Sequence, residues 1–288
     1  MKKNTAFMLS LIIGILLAFV FSRSSLSPTK EEKVMAGFND LIAQEEIAVG
    51  EVIAYVDTHV GEVSRENAAK LALGLEQVQK DQLSAWQRLY EDSALQEEMA
   101  AVYQRHWSLD NLKQAEDETT RQIVAKTVAS GYKVETAEGT FFPVIDYTFY
   151  EKYYEAMTAD VRAYFTLMAV ESEATPVKDA ALMISWEEIL RRAEAQEKFI
   201  EEYNTSTQVE PVRQLMERYI TFALFGCNNT PLFSYDTKEM DPEAKEAFAA
   251  YIAKGSTGEF SALIKDYFEV LEKNDFRLTA EVEAYRKQ

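Results

Sequence analysis

The sequence predicts a mostly α-helical fold: a helical bundle or helix-hairpin array with one small β-hairpin near 132–145, preceded by an N-terminal hydrophobic segment. Three observations carry this expectation. Apolar residues recur at three- and four-residue steps through most of the chain, the period of an amphipathic helix. Glycine and proline are scarce, 10 and 6 in 288 residues, too few for the many turns of an all-β fold. Only between Tyr132 and Ala137 does the pattern drop to an alternation of period two.

The elements follow in order. Ser27-Pro28 reads as an N-cap with proline at the first helical position, and Thr29-x-x-Glu32 as a capping box one step on. Val34, Phe38, Leu41, Val49, Val52 and Val56 then predict one helix running to about Asp57. Ser64 caps a second, with the stripe Leu71, Leu75, Val78, Trp86 and Leu89. A third carries Leu95, Met99 and Val102, and a fourth runs from near Ser108 to Gly131, a C-cap residue. Tyr132–Ala137, the turn Glu138-Gly139 and Thr140–Ile145 predict the hairpin, with Pro143 confining its strand to an edge. Helical spacing resumes after Asp146 and after Thr158. Thr175-Pro176 opens a long helix through Tyr203, another runs from about Gln208 to Phe225, and Asp241-Pro242 caps one to about Ala253. The last ~30 residues read as one or two helices.

The N-terminus bears on address. Lys2 and Lys3 precede a run of 16 uncharged residues from Ala6 to Phe21. A basic start followed by an apolar run is an export signal. The run lies between the about 7–15 residues of a secretory signal and the roughly 17–25 of a membrane span. Residues 1–26 are therefore a signal anchor, retained as a transmembrane helix, or a signal peptide removed on export. The basic end stays in the cytoplasm. Residues 28–288 form an extracytoplasmic helical domain, alternatively two lobes, 28–130 and 147–288, joined by the hairpin. Membrane contact is expected through residues 6–21 only. If the signal is cleaved, the domain is secreted.

Charge narrows the partners. The net charge is −18, and Lys2, Lys3 and Arg23 belong to the leader, so the remainder is more acidic still. Such a field repels nucleic acid, whose binding needs Lys and Arg against phosphate. A single cysteine, Cys227, cannot form an intrachain disulfide, so the fold must rest on packing.

No cofactor is implied. His59 and His106 are the only histidines, neither in a His-Glu-x-x-His motif, and no metal is expected. There is no Gly-x-Ser-x-Gly and no glycine-rich phosphate loop. Acidic pairs such as Glu187-Glu188 fit solvated helix faces with basic partners one turn away, so no carboxylate is singled out as catalytic. Two stretches stand out as binding candidates. One is aromatic and includes Tyr147, Tyr150 and Tyr154; it reads first as a core with a hairpin–helix seam, and alternatively as a groove for a sugar ring or a peptide. The other is the link 226–236, in which Asn228, Asn229, Phe233, Tyr235 and Asp236 combine amides, aromatics and an acid between two helices.

Trp186, Ala193, Phe199 and Tyr203 on one helix, the turn Asn204-Thr205-Ser206, and Pro211, Leu215 and Tyr219 on the next resemble a tetratricopeptide-type helix hairpin over about forty residues, 186–226. The first helix lacks the consensus small-residue pattern, and no second copy recurs. The resemblance implies a concave protein-binding surface.

The function expected from these features is an extracytoplasmic, non-enzymatic domain binding a protein or a cell-envelope component. One alternative is an envelope hydrolase acting on glycan or peptide through two carboxylates. It requires a cleft lined by Tyr147, Tyr150 or Tyr154. A second is a ligand-sensing module that works with a separate signalling partner.

Overall fold

The computed structural model describes residues 27–287. It is mostly helical, with eleven α-helices and three two-stranded antiparallel hairpins among the described residues. The first helix, α1 (Lys30–Ile42), opens on the expected capping box: Thr29 Oγ1 accepts from the Glu32 amide at 3.1 Å, and Glu32 Oε2 accepts from the Thr29 amide at 2.7 Å. The single helix expected to reach Asp57 is interrupted. α2 (Val49–His59) begins afresh after a turn at residues 43–48. Gln82, from the neighbouring helix, donates its side-chain amide to the Ile47 carbonyl and holds that turn.

α3 (Arg65–Leu89) starts at Ser64, whose backbone N–H is itself bound by Glu31 of α1 at 2.8 Å. α4 (Ser93–His106) buries Leu95, Met99 and Val102 and ends at Trp107, which adopts a left-handed backbone with φ of 50°. The helix expected from Ser108 is shorter than the sequence suggests. A 3-10 turn fills Leu109–Gln114, and α5 (Glu118–Ala129) starts only where Asp117 caps it.

β1 (Tyr132–Ala137) and β2 (Thr140–Ile145) pair in the expected register, Ala137 opposite Thr140 and Tyr132 opposite Ile145. Both turn residues, Glu138 and Gly139, have positive φ, the two-residue turn whose twist matches a hairpin. A 3-10 segment, Tyr147–Ala156, leads to α6 (Ala159–Glu173).

The long helix expected from Thr175 is corrected at its start. Residues 177–182 form a second hairpin, β3 (Val177–Lys178) with β4 (Ala181–Leu182), and α7 (Trp186–Glu202) begins after the Ser185 cap. Asp179 and Ala180 turn this hairpin with φ of 50° and 55°. Their carbonyls are held from outside, by the Asn229 side-chain amide at 2.6 Å and the Asn229 N–H at 2.8 Å. The partner lies 50 residues away in sequence, so no local pattern announces the hairpin. α8 (Val209–Phe225) returns antiparallel to α7, and a third hairpin, β5 (Gly226–Cys227) with β6 (Thr230–Pro231), follows. α9 (Pro242–Ala253), α10 (Glu259–Lys273) and α11 (Ala280–Tyr285) close the chain.

Three apolar clusters hold these elements. The first joins α1, α2 and α3 to the 3-10 segment and α6, the second gathers α7 to α11, and the third lies between α4, α5 and the first hairpin. In the second cluster a buried acid closes a helix from a distance. Glu197 of α7 accepts the Phe260 N–H at 2.6 Å in the first turn of α10. Gly258, at φ of 127°, lets the chain pass there, since a Cβ would run into the Glu197 carboxylate.

The expectation of a membrane-spanning helix is corrected for this part of the chain: among the described residues no helix is long and apolar enough to cross a membrane. The leader reading falls on residues 1–26 and lies outside the described residues.

Candidate functional site

The aromatic stretch at 147–165 turns inward. Tyr147, Tyr150, Tyr153, Tyr164 and Phe165 are buried in the first core, and Tyr150 stacks on Phe165 at 4.2 Å and 9°. Tyr154 is half-buried against the same core. The Tyr147, Tyr150 and Tyr164 hydroxyls find acceptors along α3, and that of Tyr153 finds Asp57 on α2 at 2.6 Å. That of Tyr154 is buried without a partner among the described residues. Glu76 Oε1 accepts from Tyr147 at 2.8 Å and Tyr164 at 2.6 Å, and it meets Lys80 Nζ at 2.7 Å. Gln79, one turn further, accepts from Tyr150 at 2.5 Å and gives its amide to the Ser130 carbonyl at 2.9 Å. Burial, and after it the Glu76 carboxylate, pushes the Tyr147, Tyr150 and Tyr164 hydroxyls far above the ordinary phenol range. They stay protonated as donors, and this network ties the core together. Of the two readings of this stretch, Tyr147 and Tyr150 take the core one: both are buried with their hydroxyls bonded inside, and among the described residues they line no groove.

The hydrolase alternative loses its cleft with those rings. Two other acids have raised carboxyl pKa values, both from burial first: Glu171 and Glu197. Glu171 accepts from Tyr219 at 2.7 Å and pairs with Arg192 at 3.3 Å, while Glu197 holds the start of α10. Both are committed to structure.

The link 226–236 comes to the surface in part. Asn228, Asn229, Tyr235 and Asp236 are exposed, whereas Phe233 is buried in the second core. Tyr235 Oη donates to the Asn228 carbonyl at 3.1 Å. The Asp236 N–H meets Ser234 Oγ at 3.3 Å, a local turn, and no group of His, Cys, Asp and Glu able to hold a metal occurs among the described residues.

This link is one part of a face built from three hairpins. Asn229 and Thr230 of the third bond to Asp179, Ala180 and Leu182 of the second. Lys178 of the second forms an ion pair with Glu135 of the first. Beside the first two tips stands Trp107, 74% exposed; Tyr235 beside the third is 63% exposed, and Met183 just after β4 is 56% exposed. Isolated exposed apolar residues are ordinary; here three large ones stand around one set of hairpins.

Between the first two tips and α4 lies a cavity of about 330 Å³. Tyr103, Gln104, Trp107, Glu138, Phe141 and Asp179 line it. The Tyr103 ring meets Trp107 at 5.6 Å and Phe141 at 5.7 Å, each at 70°, so the aromatic wall is angled. Larger grooves are less promising. One of about 770 Å³ between α1 and α3 includes Glu31, Ser64 and Asn67, which bond to one another. One of about 660 Å³ contains Asp92 and Asp117, which cap α4 and α5.

No family model, curated protein or solved structure matches this chain.

Sequence reasoning singled out neither Trp107 nor Asp179. A signal for Trp107 existed: it follows the Leu95, Met99, Val102 stripe at the end of α4 and lies off it, whereas Tyr103, four residues after Met99, packs partly against the third core. Asp179 had no such signal, since its place depends on the contact with Asn229.

Proposed function

We propose that this chain is a non-enzymatic binding domain that works outside the cytoplasm and recognises a protein or cell-envelope component. The hairpin face is its contact surface. The basic, then apolar, leader supports the address. The observation that supports the face is Trp107, a large ring left in water beside the tips of two cross-linked hairpins. A helix C-cap with a left-handed backbone suits glycine or asparagine better than tryptophan. A bulky aromatic there gains little for the fold, while aromatic anchors are what binding surfaces concentrate.

The test compares full-length protein with the triple variant W107A/M183S/Y235S in capture from a cell-envelope extract, with mass spectrometry of what is retained. A component held by the native chain and lost by the folded variant supports the reading. Equal capture by both would overturn the assignment of this face.

A further inference from the structure

We infer that the cavity between α4 and the first two hairpins receives the ammonium group of a lysine side chain, presented by a basic segment of the partner. The inference rests on the hairpin face being the binding surface and names what that surface recognises.

The walls supply the first argument. Tyr103 and Trp107 form an angled pair of rings meeting at 70°, backed by the buried Phe141, which meets Tyr103 at 70°. Such a corner surrounds a rounded group and suits a flat sugar or base poorly. An aromatic face carries negative charge density and attracts a cation placed over it.

The charges supply the second. Glu138 sits in the turn of the first hairpin and Asp179 in the turn of the second, both lining the cavity and both exposed. Among the described residues neither carboxylate has an ion pair or a side-chain hydrogen bond, whereas the nearby cations are engaged elsewhere. Arg105 pairs with Glu116 at 2.8 Å, and Lys178 with Glu135. The C-terminal end of α4 also lies here, through Gln104 and Trp107, and the carbonyls of a last helical turn favour positive charge. Rings, carboxylates and helix end therefore agree in sign.

Size supplies the third. About 330 Å³ is near the lower limit of small-ligand sites, roughly 300–1,000 Å³. It is large enough for one side chain. A quaternary ammonium headgroup shares this chemistry, but a lysine fits a protein-binding face. Its alkyl stem can lie along the rings while its head reaches the carboxylates.

The test titrates full-length protein with an uncharged-backbone peptide carrying two lysines, and with the same peptide acetylated on both, by calorimetry. Trp fluorescence is followed in parallel. Trp86 and Trp186 are buried, so the exposed Trp107 dominates any change. The expected result is saturable binding of the lysine peptide that weakens with salt, competition by tetramethylammonium, and no binding of the acetylated peptide. E138Q/D179N should weaken binding about tenfold and W107A at least as much, with melting temperatures unchanged because all three residues are exposed. Equal binding of the acetylated peptide, or no effect of E138Q/D179N, overturns the inference. So does saturable binding of an N-acetylglucosamine oligomer at Trp107, or binding of tetramethylammonium without the lysine peptide. A partner captured from extract and lost in M183S/Y235S, but kept in E138Q/D179N, would leave the face standing and the lysine site refuted.

Discussion

Two aromatic regions of this protein meet opposite fates. The tyrosines of 147–164 are dense in sequence and are packed inside, while Trp107, which sequence reasoning did not single out, and Tyr235, which the 226–236 link did, stand in water. Their surroundings differ. Each fully buried phenol of the first group finds a polar acceptor, chiefly Glu76 or Gln79 on α3. Trp107 stands at a helix end, beyond the stripe that faces the core. Aromatic density alone therefore does not mark a binding site. Tyr147, Tyr150 and Tyr164 are buried with acceptors for their hydroxyls, whereas the buried Tyr251 and Tyr267 hydroxyls have no partner among the described residues. Tyr235 bonds Asn228 while exposed, so an acceptor alone does not decide the fate of a ring.

The comparison can be broken most forcefully at Glu76. Glu76→Ala leaves the Tyr147 and Tyr164 hydroxyls without their acceptor and opens a cavity, and should destabilise the fold by about 3 kcal/mol. A fall in the urea midpoint with an unchanged slope checks this. A loss below about 1 kcal/mol would mean the phenols are not held by that carboxylate. Tyr150→Phe keeps the stacking on Phe165 and removes one bond to Gln79, so about 1–2 kcal/mol is expected by the same measurement.

A third test carries the comparison to the second core, where a buried cation, Arg192, joins the phenol Tyr219 at Glu171. Arg192 is buried between Glu171 and Glu188. Hydrogen bonds from Arg191, opposed by partial burial and joined by those from Arg192, bring the Glu188 carboxyl from its ordinary 4.5 down to about 2. A depressed carboxyl stabilises the fold above its unfolded value, and that contribution is lost as pH falls from 4.5 toward about 2. Glu171, raised by burial, has the opposite sign: its contribution is present below 4.5 and is lost as pH rises through its folded value. Glu188→Gln should therefore flatten the acid limb of stability, read from urea midpoints in steps from about pH 5 to about pH 2. An unchanged acid limb would deny the pairing a role there.

The smallest effect on stability belongs to the rim. Trp107→Ala should change the unfolding free energy by no more than about 0.5 kcal/mol, as for other exposed positions. A loss comparable with that of Glu76→Ala would show Trp107 to be a structural residue, and the two regions would no longer differ.

Much of the fold was legible because its signals are local. The capping box at Thr29 and Glu32, the Ser64 cap, the Asp241-Pro242 start and the hairpin around Glu138-Gly139 each depend on residues within a few positions. What escaped depends on distant partners. The break between α1 and α2 is held by Gln82, and the second hairpin by Asn229. The site divides the same way. Asn228, Asn229 and Tyr235 stand in a loop whose composition announces a turn. Phe233 looked alike in sequence, yet it packs inside, because the chain after β6 folds back on itself and pairs it with Met240. The polar residues on the apolar face of α3, Glu76 and Gln79, were the readable sign that tyrosines would be buried against them.

The contact between Glu197 and the start of α10 has a consequence for how the molecule is made. Its two ends are 63 residues apart, and a chain emerges from the ribosome with its N-terminal part first. When α7 is complete, its carboxylate has no donor to meet, because residues 258–260 have yet to be synthesised. This native contact of α7 therefore forms only after the start of α10 has been made. A chain stopped short of Phe260 would lack the amide that Glu197 accepts in the native fold.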